Sequence, residues 1–303
     1  MTDMTIDGIL RLAIWCDGEI VDPAHAVVSV WDHGLLYGDG VFEGIRIRDG
    51  RLYRPHHHLA RLRGSARAIA LEIPFDDAAL LAGIAATARA NGLREAHVRV
   101  VVTRGVGLPG IDPRRCARAT TLIMAYPFPP LLGSAPVTLI TSSVTRKSPR
   151  SVPSRVKSLS YLDSVLAKVQ ANAAGAGDAL MLDGNGLVAE ATGANVFAVH
   201  GTVLRTPPTT SSLAGITRGT ILELAAGAGL EPRVEPLEPG DLYTADEAFL
   251  TGTGAGIVAV AAIDGRPLPT APGRYTTALD AAYRATWADP AYTVAIDDLD
   301  GAA

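Results

Sequence analysis

Two cysteines in 303 residues, Cys16 and Cys116, are too few for a disulfide framework and stand at no metal-ligand spacing. The expectation is reduced thiols in a cytoplasmic protein. Aromatic residues are scarce at 5%, which argues against base-stacking platforms. Neither sign of charge dominates, since 27 Lys and Arg against 31 Asp and Glu leave a net −4. The basic excess that drives nucleic-acid binding is therefore missing. No uninterrupted run of about 18 apolar residues occurs, so a membrane span is not expected. The first residues carry Asp3, Asp7 and Arg11 without a basic stretch followed by an apolar one, unlike a signal peptide. What is present is 48% hydrophobic and 19% charged residues, enough apolar surface for a core of ordinary size. The length suggests two domains, with one large α/β domain as the alternative.

Local patterns read as mixed α and β in both halves, without the regular βαβ alternation of a doubly wound fold. Asp17-Gly18 and Asp49-Gly50 each sit between apolar runs and predict hairpins. Helices are predicted over 59–71 and 77–90, the second closed by Asn91-Gly92. HVRVVVT and TTLIMAYPF read as strands. Four prolines within 127–136 mark a linker, which divides the chain into a small domain (1–127), a linker (128–136) and a larger domain (137–303). Beyond it, Leu159, Leu162, Val165, Leu166 and Val169 form one apolar helical stripe ended by Gly175 and Gly177. ALML, the turn DGNG and LVAEATGANVFAV read as a hairpin and its continuation, and 217–226 as a helix.

Several residues could carry chemistry. Lys157 stands at a strand-to-helix junction, where a lysine is either solvated or projects into a cleft and forms a Schiff base with a carbonyl. Glu190 sits among Val188, Ala189, Ala191 and Thr192, and a carboxylate in so apolar a strand needs a partner. A protonated pyridine nitrogen and a structural salt bridge both answer. Gly215, Ile216 and Thr217 precede a helix and offer either a phosphate cradle or a plain N-cap. TGTGAG (251–256) resembles a dinucleotide-binding glycine motif, but the β-branched IVAVAAIDG that follows it is not helical. His56, His57 and His58 are consecutive and cannot all face one ion, so no metal is expected.

The order of the motifs says more than any one of them. DHGLLYGDGVFEGIR (32–46), HLARL (58–62), VTRGVGLPGIDPRRC (102–116), RVKSLSYLDSVLAK (155–168), GLVAEATGANVF (186–197), TPPTTSSLAGITR (206–218) and LYTADEAFLTGTGAGI (242–257) resemble fold type IV pyridoxal-phosphate enzymes. The chain is most similar to the branched-chain aminotransferases within that group, from about Asp17 to Leu268. The resemblance implies a two-domain, mixed α+β fold of the D-amino-acid-aminotransferase type. It implies pyridoxal 5'-phosphate held by Lys157, Glu190 facing the pyridine nitrogen, and Tyr161 near the phenolic oxygen. Arg61, Leu213, Gly215, Ile216, Thr217 and Thr253 correspond to the remaining cofactor contacts. Tyr37, Phe42, Arg46, His97, Arg99, Gly254 and Ala255 correspond to the substrate side.

Also implied is a homodimer or higher homo-oligomer, with active sites near the subunit interface and the Gly107–Pro113 loop closing over the neighbour's site. The expected reaction moves an amino group between a hydrophobic amino acid and a 2-oxo acid such as 2-oxoglutarate. Two departures touch the pocket: His97 stands where a tyrosine is usual, and Gly254-Ala255-Gly256 where Ala-Ala-Glu is often found. They keep two other readings open, a transaminase for D-amino acids or (R)-amines and an aminodeoxychorismate lyase.

Overall fold

The structure, a computed structural model, describes residues 5–127, 132–133 and 135–299. Positions 128–131 and 134 of the expected linker lie outside the described residues. The described chain divides into two compact units: 5–127, 156–160 and 287–299 form one, and 132–133, 135–155 and 161–286 the other. A single cut at 128–136 therefore differs from the division found. Residues 156–160, with Lys157, belong to the first unit because they run antiparallel beside one of its strands. The segment from Trp287 onward returns to the same unit and adds an edge strand.

In the first unit, after a short α1 (Ile6–Ile9), come β1 (Ile14–Cys16), β2 (Glu19–Val21), α2 (His33–Tyr37), β3 (Gly40–Arg48) and β4 (Arg51–Tyr53). Then follow α3 (Pro55–Ala68), α4 (Asp77–Ala90), β5 (Ala96–Thr103) and β6 (Thr120–Tyr126). With the late strand Thr293–Ala295 on β4, the described strands form an antiparallel sheet in the order β4-β3-β5-β6-β1-β2. Both predicted hairpins form, and Asp17, Gly18, Asp49 and Gly50 all take the positive φ that a two-residue turn between twisted strands demands. Helix α3 starts at Pro55, ahead of the predicted 59, because a proline at the first helical position brings its own helical φ.

Strand parity decides what this sheet does. Cross-strand partners share a face, and successive residues alternate between faces. Val41, Ile45 and Ile47 of β3 join Val98, Val100 and Val102 of β5 under α3 and α4, where Leu59, Leu62, Leu80 and Ile84 complete a buried core. The other parity puts Phe42, Gly44 and Arg46 beside Val101, Arg99 and His97 on the opposite face.

The second unit holds β7 (Val137–Thr141), α5 (Leu162–Ala173), β8 (Asp178–Leu182), β9 (Val188–Ala191), β10 (Asn195–His200) and β11 (Val203–Thr206). It continues with α6 (Ile216–Leu224), β12 (Glu231–Val234), α7 (Pro239–Tyr243), β13 (Glu247–Gly252), β14 (Gly256–Ile263) and α8 (Arg274–Ala285). Its described strands run in the order β12-β11-β10-β13-β14-β7-β8-β9, with parallel pairs at β11–β12, β14–β7 and β7–β8. Both units are thus mixed α and β without doubly wound alternation, as the sequence led us to expect.

Helix α5 is inverted relative to an ordinary amphipathic helix. Ala167 and Ala171 pack on Ala179 and Met181, while Leu162, Val165, Leu166 and Val169 of the apolar stripe point outward and are exposed. Small residues let the helix lie close to β8, and the bulky face is left for something else.

Candidate active site

On the non-core face of β3 and β5 the first unit gathers its cations. The Lys157 Nζ lies 4.3 Å from the Phe42 ring centroid, and the Arg99 guanidinium carbon lies 4.0 Å from it. The lysine backbone is fixed, because the Lys157 carbonyl accepts the Phe42 N–H at 2.9 Å and the Ser65 hydroxyl accepts the Lys157 N–H at 3.1 Å. Lys157 is therefore in extended chain five residues before α5 begins, not at the helix start. His97 lies over the bare Cα of Gly44, where a Cβ would come within 2.8 Å of its Nε2. Burial, with Arg46 and Arg99 adding to it, pushes His97 down to about 4, so a neutral imidazole shares this face with two guanidiniums.

Glu43 has core-face parity and is fully buried, where a carboxylate must be matched. The Arg61 Nε donates to its Oε1 at 2.6 Å and Nη2 to its Oε2 at 2.9 Å. The His58 Nδ1 donates to Oε2 at 2.7 Å. Burial raises the Glu43 carboxyl, but the charges and hydrogen bonds of Arg61 and His58 outweigh it and hold it at about 2. Arg61 is thus locked in a fork by Glu43. His58, from the histidine run, is a buried partner of that fork; no metal-binding cluster exists among the described residues.

The second unit centres on Glu190, buried in β9. Its Oε1 accepts the Arg146 Nε at 2.8 Å and lies 2.7 Å from Nη2. Its Oε2 has the two longer contacts, from the Asn195 Nδ2 at 3.2 Å and the Leu213 N–H at 3.1 Å. Tyr161, at the N-cap of α5, lies under Arg146 and Lys147, 5.8 and 5.4 Å from its ring. Gly215 is the N-cap of α6 and offers no side-chain cap, which leaves the helix start at Ile216 and Thr217 to an external acceptor. Thr253, Gly254 and Ala255 make the turn between β13 and β14.

These groups fit pyridoxal phosphate. The two contacts on the Glu190 Oε2 are its long ones, so a protonated pyridine, a charged donor, would share or replace them there. Thr251 stands opposite Asn195 in the β10–β13 register and so shares its face, and its buried Oγ1 has no hydrogen-bond partner among the described residues. The uncapped start of α6 is an anion site by dipole and amide donors alike.

Of the sequence-derived residues, the structure therefore brings Lys157, Phe42, Arg46, His97 and Arg99 together in one unit. It brings Tyr161, Glu190 and Leu213 together in the other. Tyr37 is apart from the Phe42 group: half-exposed on α2, its hydroxyl accepts the Gly110 N–H at 2.9 Å and so pins the 107–113 loop. Arg146, Asp163, Asn195, Glu43 and Thr251 escape sequence reasoning, although Glu43 and Glu190 give the same signal, an acid within an apolar strand.

The family model described as amino-transferase class IV matches residues 40–263, and the chain belongs to that family. A relative from Methanocaldococcus jannaschii is 50% identical over 256 residues, covering 84% of this chain and 89% of that protein. The crystal structure of the Escherichia coli branched-chain amino acid aminotransferase is similar with a TM-score of 0.91 and 31% identity, over 94% of this chain and 99% of that one. The branched-chain amino acid aminotransferase from Thermobaculum terrenum, in its PLP-bound holo form, is similar with a TM-score of 0.86 and 28% identity, over 94% and 98%.

Proposed function

We propose that this class IV aminotransferase uses pyridoxal 5'-phosphate to move an amino group between a branched-chain or other hydrophobic L-amino acid and a 2-oxo acid such as 2-oxoglutarate. The observation that carries the substrate assignment is the convergence of a primary amine and guanidinium groups around Phe42. Bound pyridoxal phosphate supplies the electron sink for the electrons left at the substrate's α-carbon. Lys157 anchors the cofactor, and its Nζ takes the α-proton and returns it. Glu190 keeps the ring nitrogen protonated, because a neighbouring negative charge favours the charged form. The amides at the start of α6 and the Thr217 hydroxyl hold the phosphate, while Arg61, which the motif also assigns to an anion, is held in its fork by Glu43. Arg99 and Arg46 take carboxylates of amino acid and oxo acid, and neutral His97 adds a hydrogen bond without a third charge.

We also assign a homodimer in a reducing, cytoplasmic compartment. The exposed stripe of α5 supports the first, and the free Cys16 and Cys116 fit the second. No described helix is long and apolar enough to cross a membrane.

The test is a panel of amines added one at a time without an oxo acid, following conversion of the bound cofactor to its amine form. Conversion by L-leucine, and none by D-alanine or (R)-1-phenylethylamine, is the expected result; the reverse pattern refutes the substrate assignment. Pyruvate release from aminodeoxychorismate would select the lyase instead. A Lys157→Ala protein that kept the absorption of the lysine-bound cofactor would remove Lys157 from its role.

A further inference from the structure

Glu190 is one end of a buried chain of charges. Arg146, from the loop after β7, spends Nε and Nη2 on Glu190 and donates with Nη1 to the Asp163 Oδ2 at 2.7 Å and to the Ser164 hydroxyl at 3.1 Å. The Lys147 N–H also donates to the Asp163 Oδ2, at 3.2 Å. Asp163 and Ser164 lie in the first turn of α5, so one helix end fixes the guanidinium and the guanidinium fixes Glu190. Arg146 itself is almost fully buried, with the Tyr161 ring beside it. Burial disfavours its charge, but Glu190 and Asp163 more than offset that and hold it above the ordinary value for arginine. Around Glu190 the remaining groups are Asn195 from β10, the Leu213 N–H and the charge of Arg218 on α6.

A single guanidinium on Glu190 would neutralise it and leave little negative potential for a pyridinium. Within this triad two carboxylates on one guanidinium leave one net negative charge, and the Glu190 Oε2 is held only by the two longer contacts, at 3.2 and 3.1 Å.

We propose that Arg146 and Asp163 are positioning residues for Glu190, Arg146 fixing its carboxylate and Asp163 offsetting the Arg146 charge, so that Glu190 keeps a full negative charge for the ring nitrogen of the cofactor. The proposal rests on the reading of Glu190 given above. It assigns to Asp163, which need not touch the cofactor, control over the protonation of the ring nitrogen.

The test uses holoenzyme reconstituted with pyridoxal phosphate labelled with 15N in the ring, and reads the ring-nitrogen shift against pH in wild type and four variants. Asp163→Asn keeps an acceptor for Arg146 but removes the charge, and should lower the pH at which the ring nitrogen loses its proton by about one unit. Arg146→Lys should show a smaller shift of the same sign, since an ammonium cannot reproduce the fork. Arg146→Met removes the cation between two buried carboxylates without reducing the negative charge beside the ring; if folded, it should not shift the ring-nitrogen titration to lower pH as Asp163→Asn does. Folded Asp163→Asn and Arg146→Lys proteins with the wild-type titration would overturn the proposal. Glu190→Gln separates the two levels. A changed titration there with unchanged Asp163→Asn refutes only the role of Arg146 and Asp163. An unchanged titration in Glu190→Gln refutes the Glu190 assignment and this proposal with it.

Discussion

Glu43→Gln is the substitution whose cost the structure sets most directly. The carboxylate is fully buried and accepts both arms of the Arg61 fork and the His58 Nδ1–H. Its pKa falls from 4.5 to about 2 in the fold, and each unit of such a shift is worth about 1.4 kcal/mol, so ionised Glu43 contributes roughly 3 kcal/mol. The amide of glutamine keeps the shape but turns an NH2 toward donors, and Arg61 loses its counter-charge. That loss agrees with the ~3–5 kcal/mol typical of breaking a buried pair from one side. For a cooperative unit of this size the melting temperature should fall by about 6–10 °C. The sign with pH is fixed by the depressed pKa. The contribution is complete above the unfolded value of 4.5 and is lost as pH falls toward the folded value of about 2. Unfolding of both proteins by urea at a series of pH values should show a stability gap constant from pH 7 to 5. Below pH 4.5 the gap should narrow by about 1.4 kcal/mol per unit. A gap under about 1 kcal/mol at pH 7, or one unchanged between pH 5 and 3, refutes the buried-pair account.

His97 should stay neutral until about pH 4, so its ring protons should show no NMR titration near the ordinary 6.5; a midpoint above 6 would deny the cationic, desolvated setting. Because the folded value is the lower one, wild type should lose stability as pH falls from 6.5 to 4, and His97→Phe should lack that component. In Gly215→Ala the new Cβ would fall 2.0 Å from the Asn195 Oδ1 and push Asn195 off Glu190, so pyridoxal phosphate should bind about tenfold more weakly; equal affinity by equilibrium dialysis would show the site tolerates the shift. Val165→Lys with Val169→Lys charges the exposed stripe of α5, and sedimentation should then find monomer where wild type gives dimer. A wild-type dimer that survives both charges places the interface elsewhere.

What the sequence makes legible is what is local. The turns at Asp17-Gly18 and Asp49-Gly50, and the span Asp77–Ala90, follow from φ preferences and capping within a few residues, and the structure contains them. The alternation in VFEGIR and HVRV similarly sorts Phe42, Arg46, His97 and Arg99 onto one face once the two strands pair. Partners distant in sequence are a different matter. An acid in an apolar strand announces that it needs a partner, and both Glu190 and Glu43 do so, but neither names it. Arg146 stands 44 residues from Glu190 in a proline-broken stretch with no periodicity to place it. Arg61 shows the opposite limit: its motif suggests an anion, while the first anion it meets is Glu43, because β3 buries that carboxylate beneath α3. Helix α5 shows a third. Its periodicity is real, yet a stripe of leucine and valine reports only that some surface will cover it. The alanines at 167 and 171 decide which face turns inward, since only they let the helix approach β8 closely enough to pack. Period therefore locates an apolar face, but side-chain volume on the opposite face determines whether the chain's own core or a second molecule receives it.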